Sequence, residues 1–192
     1  VQRENDGVIV SNLSGRSEHF DAVVMATHAD VSLSLLNDAD SAERKALGLF
    51  EYTTNDVVLH TDETLLPRHR RARGSWNVET ADCRRPADQL VMSYWMNNLQ
   101  RLDAPVQYLT SVNPGERVPD EKVIVARPMS HPKYTFDTLD GQAAVGAIQG
   151  HRRTYYAGAH LGYGFHEDGC RSGFQTAEMI AEIATAPQPV AA

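Results

Sequence analysis

The chain has 192 residues, a formal net charge of −7 and a hydrophobic share of 42%. That is enough for one domain or two small ones with their own cores. The acidic balance argues against nucleic acid as the main partner, and nothing approaches the ~18 apolar residues of a membrane span. Cys83 and Cys170 lie far apart and fit no metal or redox spacing, so a reducing, cytoplasmic setting is expected.

In chain order, Val1 to Thr27 reads as a β-meander feeding a buried strand. Asn5-Asp6-Gly7 and Ser14-Gly15-Arg16 are turn signals, and Phe20 to Thr27 (FDAVVMAT) is a continuous apolar run of the kind found in a covered parallel sheet. The first residue is Val1 and the chain opens inside this predicted strand pattern, so we read it as a fragment of a longer protein. Asp30 is expected to cap a short helix over 31–36, and a second helix is expected over 41–49. Strands are predicted at 56–61, 89–96, 108–112 and 122–127, with a turn at Pro114-Gly115. Few helices interrupt them, which suggests a mixed sheet separate from the first one. Thr135 or Asp137 is expected to cap a helix carrying Leu139, Ala143, Ala144, Ala147 and Ile148, ended by Gly150. No internal repeat or low-complexity tract occurs.

The densest information lies between Arg153 and Ala184, RTYYAGAHLGYGFHEDGCRSGFQTAEMIAEIA. Arg153 to Ala159 reads as a short buried strand. A glycine-rich loop follows, and after Asp168 the period becomes helical. Cys170, Gly173, Phe174, Ala177, Ile180, Ala181 and Ala184 share one mostly small apolar face, fit for close approach to a sheet or helix, with Arg171, Gln175, Glu178 and Glu182 opposite. Strand, glycine loop and helix start together bring free backbone N–H groups and a positive helix end to an anionic or electron-accepting ligand.

This segment resembles the C-terminal cofactor motif of the flavin-containing amine oxidoreductases, the superfamily of amine oxidases, phytoene desaturases and protoporphyrinogen oxidases. The matching residues are Ala157, Gly158, Gly164, Phe165, His166, Glu167 and Gly173. The wording is most similar to a branch of predicted NAD/FAD-binding oxidoreductases, some encoded near cyclopropane fatty-acid synthases. Many relatives carry an acid directly after the Ala-Gly, where this chain has Ala159. The resemblance implies a mixed α/β and α+β fold: a partial, Rossmann-like FAD-binding domain with an inserted mixed-sheet substrate domain. Residues 1–32 and 150–186 would be pieces of the cofactor domain, 33–149 the substrate side and 187–192 a frayed tail.

The resemblance also implies FAD as cofactor, held around Ala26, Thr27, Gly158, Ala159, His160, Gly164, Phe165, His166, Glu167, Asp168 and Gly169. Phe165 would lie beside the ring, and the backbone N–H groups near His166 and Glu167 would face its pyrimidine edge. Asp168 is expected to cap the helix, and Glu167 to point away from an anionic reduced flavin. No GxGxxG follows a strand here, so the pyrophosphate-seating turn of such domains is missing from this sequence. Catalytic side chains are not identified by motif; His131, Lys133 and His166 are the candidates, on rim position and histidine chemistry. His160, His166, Glu167 and Asp168 match no metal-ligand spacing.

The expected function is an FAD-dependent oxidoreductase taking hydride from a C–N or C–C bond. The alternative is a non-catalytic domain of the same fold that binds a partner or lipid. The expected partner is a small-molecule substrate; an amine, a polyene and a lipid-like fatty acyl chain all fit. The basic run Pro67 to Gly74, with Arg68, Arg70, Arg71 and Arg73, suits a weak contact with a membrane surface.

Overall fold

The computed structural model describes residues 1–80 and 90–185, with side chains to residue 182. Cys83, the expected strand start at Gln89 and the tail from Pro187 lie outside the described residues. The N-terminal meander forms an antiparallel ribbon of β1 (Gln2–Arg3), β2 (Val8–Ser11) and β3 (Ser17–Phe20). The side chain of Asn12 closes its second turn by accepting the Ser14 and Arg16 N–H groups. The apolar run expected as one strand is shared: Phe20 ends β3, and only β4 (Val23–Met25) enters the second sheet.

Helix α1 (Ala29–Leu35) starts earlier than expected. Asp30 lies inside its first turn and accepts only the neighbouring Val31 N–H, so it does not cap the helix. Helix α2 (Ser41–Gly48) has a reciprocal cap. Asp40 accepts from the Ala42 and Glu43 N–H groups, and Glu43 accepts from the Asp40 N–H at 2.9 Å.

The next elements are β5 (Glu51–His60), β6 (Trp76–Glu79), β7 (Val91–Trp95), α3 (Met96–Gln100), β8 (Leu109–Val112) and β9 (Val123–Lys133). They form a five-stranded sheet in the order β6-β7-β8-β5-β9. The described pairs β6/β7, β7/β8 and β8/β5 are antiparallel. Strand β6 has no counterpart in the sequence analysis; it is only four residues long, with Trp76 and Val78 exposed. Helix α4 (Phe136–Ala147), β10 (Thr154–Tyr156) and α5 (His166–Thr185) complete the chain. The buried side of α4 carries Thr138, Gly141 and Val145, while Leu139, expected on that side, is exposed.

The chain divides into two compact units, Val1–Tyr52 with Pro132–Ala192, and Thr53–His131. The sequence reading set these boundaries near 32 and 149. Helices α1, α2 and α4 instead belong to the first unit, because they cover its core of Met25, Leu36, Leu47, Phe50, Val145 and Tyr156.

An ionic cluster ties that core to the ribbon. Arg3 is buried and meets Glu43 through both terminal nitrogens, at 2.7 and 2.8 Å, and Asp38 through Nε at 2.6 Å. Its Nη1 also donates to Thr154 Oγ1 at 3.3 Å, so β1, α2 and β10 share one guanidinium. Burial works against the charge on Glu43, yet the Arg3 fork still holds its carboxyl below the usual range.

The second unit is built differently. Val58, Leu65, Leu66, Leu109 and Val118 form its core. A buried neutral chain runs beside them, from His60 Nε2 to Ser111 Oγ (2.8 Å) and on to Ser93 Oγ (2.7 Å). The Asp62 N–H donates to His60 Nδ1, so Nε2 carries the proton and donates to Ser111.

Helix α5 has the expected period with the opposite face inward. Asp168, Ser172 and Thr176 are buried, while Cys170, Gly173, Phe174 and Ala177 are exposed. The cause is the edge of β10. Its backbone groups need partners, and α5 supplies hydroxyls: Thr176 donates to the Tyr156 carbonyl, and Ser172 accepts the Gly158 N–H at 2.9 Å. Gln149 covers Tyr156 as a strand would, donating to its carbonyl and accepting its N–H.

Candidate functional site

The parallel pairing of β4 with β10 decides where the expected cofactor residues meet. Its register runs from Val23 opposite Thr154 to Met25 opposite Tyr156, and the Ala157 N–H extends it to the Met25 carbonyl at 3.1 Å. Both strands therefore end at the same edge. Ala26 and Thr27 leave from one, and Gly158, Ala159 and His160 from the other. The carboxyl edge of parallel strands is where crevices for ligands form in such sheets.

Two helices hold the loop after β10. Gln142 of α4 donates to the carbonyls of His160 and Gly162, at 3.0 and 2.7 Å. Asp168 accepts the N–H groups of Tyr163 and Phe165, each at 3.0 Å, and pairs with Arg171. The Phe165 N–H is the largest cause holding its carboxyl below the usual carboxylate range. Gly164 sits at φ +87°, and a Cβ there would lie 2.5 Å from the Tyr134 hydroxyl. A Cβ at Gly158 would lie 2.6 Å from the His160 ring.

Helix α5 opens immediately beyond. The Asp168 and Gly169 N–H groups bond back to the Phe165 carbonyl, at 3.0 and 3.2 Å. Among the described residues, the N–H groups of His166 and Glu167 have no acceptor. The side chains of Phe165, His166 and Glu167 are exposed, so this helix start is open, with two donors and the positive helix end available.

His160 is buried under the loop and stands edge-on to Phe50, ring centres 5.0 Å apart. Burial, with the nearby His28 adding to it, pulls its pKa down to about 4, so the ring is neutral near pH 7. His28 stacks on Tyr52 at 4.5 Å, and the Tyr52 hydroxyl accepts the Ala29 N–H at 2.8 Å. The sequence pattern did not single out His28, Tyr52 or Tyr134. The one available signal was that His28 directly follows Ala26-Thr27 at the strand end.

The remaining candidates lie elsewhere. Lys133 is engaged by Glu51 in an exposed ion pair of 3.0 Å. His131 belongs to the second unit and hydrogen-bonds Asn55 at 3.1 Å. Among the described residues, Glu4, Asp6 and His19 of the ribbon come close enough to share an ion, and all three are exposed. His160, His166, Glu167 and Asp168 form no such group.

The chain's backbone follows that of a fatty acid isomerase from P. acnes that produces CLA, with a TM-score of 0.63 and 17% identity over 94% of this chain. The fold resembles part of the flavin amine-oxidase fold. A putrescine oxidase variant redesigned in its cofactor binding aligns over 94% of the chain as well, with a TM-score of 0.58 and 10% identity. The chain spans 45% of the isomerase and 47% of the oxidase, less than half of each. No family model matches the sequence, and no curated protein matches it. Among the described residues, no helix is long and apolar enough to cross a membrane.

Proposed function

We propose that this chain supplies the flavin-facing wall and the substrate-side unit of an FAD-dependent oxidoreductase. The observation that carries this reading is the shared carboxyl edge of β4 and β10, which opens onto the start of α5 with two unused N–H donors. The residues fit the group. Gly164, at positive φ, lets bare backbone pass the Tyr134 hydroxyl, where a Cβ would collide, so the loop keeps the turn that leads to the open helix start. Bound there, flavin would supply the hydride acceptor for a C–N or C–C bond of the substrate.

The chain's own residues would position and tune it. The His166 and Glu167 N–H groups would hydrogen-bond an electron-rich edge, and the helix end would favour negative charge there by about 0.3–2 kcal/mol. Asp168 would keep the loop shut through its two backbone bonds, and neutral His160 would back it without adding charge. A lipid-like substrate is favoured by the similarity to a fatty acid isomerase. The pyrophosphate and adenosine would be held by a glycine-rich turn lying outside this sequence.

The test is flavin occupancy in a polypeptide extended upstream of Val1. Gly164→Val should lose the flavin, because a β-branched residue at φ +87° meets both strain and the Tyr134 hydroxyl. His166→Ala should keep it, since the contact is made by backbone. Normal occupancy in Gly164→Val would reject the cradle. A chain that never takes up flavin, with or without the upstream segment, would favour the non-catalytic binding domain.

A further inference from the structure

The segment after β5 packs Leu65 and Leu66 against Val58 and Leu109 of the second unit's sheet and leaves a pocket beside them, about 360 Å³ in volume. Asp62 shapes the start of that segment by accepting the Thr64 N–H and hydroxyl, at 3.3 and 2.6 Å. Strand pairing sets Asn77, Ser93 and Ser111 opposite one another in β6, β7 and β8, so their side chains share one face. Asn77 and Ser93 line the pocket, together with Leu65, Leu66, Arg68 and Glu79.

Ser93 is also the last member of the buried relay, and the relay has a direction. At its far end the Asp62 N–H donates to His60 Nδ1, so His60 Nε2 donates to Ser111. Burial lowers the His60 pKa below its ordinary value, which keeps the ring neutral and this tautomer in place. Ser111 is fully buried, and among the described residues Ser93 is the acceptor for its hydroxyl hydrogen. The Ser93 hydrogen is then left without an acceptor among the described residues, on a side chain only 2% exposed. A buried hydroxyl needs a partner, and the pocket is where one can enter.

The charges around the pocket say what that partner carries. Glu63 pairs with Arg73 at 2.9 Å, Glu79 with Arg117 at 2.8 Å and Asp62 with Lys122 at 3.3 Å. Arg68 is exposed, and no carboxylate of the described residues pairs with it. Arg70 and Arg71 are exposed too, but among the described residues they do not line the pocket. A guanidinium fork and a hydroxyl donor therefore line one cavity whose neighbouring acids are already matched. We propose that this pocket binds a small organic anion, with its carboxylate on Arg68 and a carbonyl or hydroxyl oxygen accepting from Ser93. Leu65 and Leu66 supply the apolar wall beside it. The proposal stands without the flavin reading, since all of these residues belong to the second unit.

The experiment titrates the isotope-labelled 192-residue chain with levulinate, which carries a carboxylate and a ketone, and follows the amide signals by NMR. Pentanoate lacks the ketone, and methyl propyl ketone lacks the carboxylate. Levulinate should move the Leu65, Asn77 and Ser93 signals with a dissociation constant on the order of 1 mM. The other two should each bind several times more weakly. Arg68→Ala should weaken levulinate and pentanoate alike, by about tenfold. Arg70→Ala removes the same charge nearby and should weaken binding by about twofold at most. Ser93→Ala should weaken levulinate about fivefold and leave pentanoate unchanged. Circular dichroism checks that each variant is folded; if Ser93→Ala is not, the wild-type preference for levulinate over pentanoate reads the same contact.

Unmoved signals at about ten times that concentration would overturn the proposal. Equal weakening by Arg68→Ala and Arg70→Ala would also overturn it, by reducing the effect to general charge. Pentanoate bound as tightly as levulinate would remove Ser93 from the site and overturn it as well. Shifts confined to residues 158–169 would place the anion at the open helix start of the first unit and reject the pocket.

Discussion

The two units of this chain solve the problem of burying polar groups in opposite ways. The first unit buries full charges: Arg3 and Glu43 face each other with almost no exposure, and Asp168 anchors a loop by two backbone bonds. The second buries a neutral relay of His60, Ser111 and Ser93 inside an antiparallel sheet whose register already satisfies the backbone. The first unit has short strands and long irregular connections, so side chains must complete what β-ladders do elsewhere. Gln142, Gln149, Ser172 and Thr176 all serve backbone groups. The lesson is that an irregular loop can be held as firmly as a sheet, at the cost of depending on a few ionised or amide side chains.

The largest break in that comparison should come from Arg3→Ala. It leaves Glu43 buried without its partner, and removal of one member of a buried pair costs about 3–5 kcal/mol. Residue-resolved hydrogen exchange should show protection falling across α2, β4 and β10, with β7 and β8 unchanged. A uniform loss in both units would mean they unfold as one.

Acid should act next. His160 is neutral when folded, with a pKa of about 4, and ordinary when unfolded. The unfolded chain therefore binds the proton first, and stability falls as pH drops from about 6.5 to about 4. The full effect amounts to about 3 kcal/mol. Asp38, Asp40, Glu43 and Asp168 all have lowered carboxyl pKa values, so their contributions are lost only at lower pH, as they protonate. Denaturation midpoints at stepped pH check this, and His160→Gln should flatten the upper part of the curve. A wild-type curve flat between pH 6.5 and 4 would show that the ring is not buried as described.

Ser111→Val is the smallest of the three and falls on the other unit. It strands the His60 Nε2 proton in the core, at about 1–3 kcal/mol. Exchange should quicken in β7 and β8 while the loop around Asp168 is unaffected. If the loop loosens too, the two units share more than the strands that join them.

Several local features were readable from residues alone because local chemistry fixes them. Asn5-Asp6-Gly7 and Ser14-Gly15-Arg16 turn the ribbon, a helix forms where one was expected over 41–49, and the change of period at Asp168 marks a helix start. The glycine loop was visible for the same reason: Gly164 stands where the backbone has φ +87°.

Tertiary structure decided what faces what. The sequence shows two stripes on α5 and favours burying the apolar one. The unpaired edge of β10 draws the polar stripe of Asp168, Ser172 and Thr176 inward instead, because buried backbone groups must be hydrogen-bonded. Arg3 reads as an ordinary ribbon residue, and its bonds to Glu43 and Thr154, 40 and 151 positions away, exist only once the first unit has folded. His28 and Tyr52 likewise become a stacked pair beside the site only through the fold. Composition and spacing determined the elements and the loop. Which polar groups had to be satisfied at a distance determined how those elements were turned, and so which residues stand at the site.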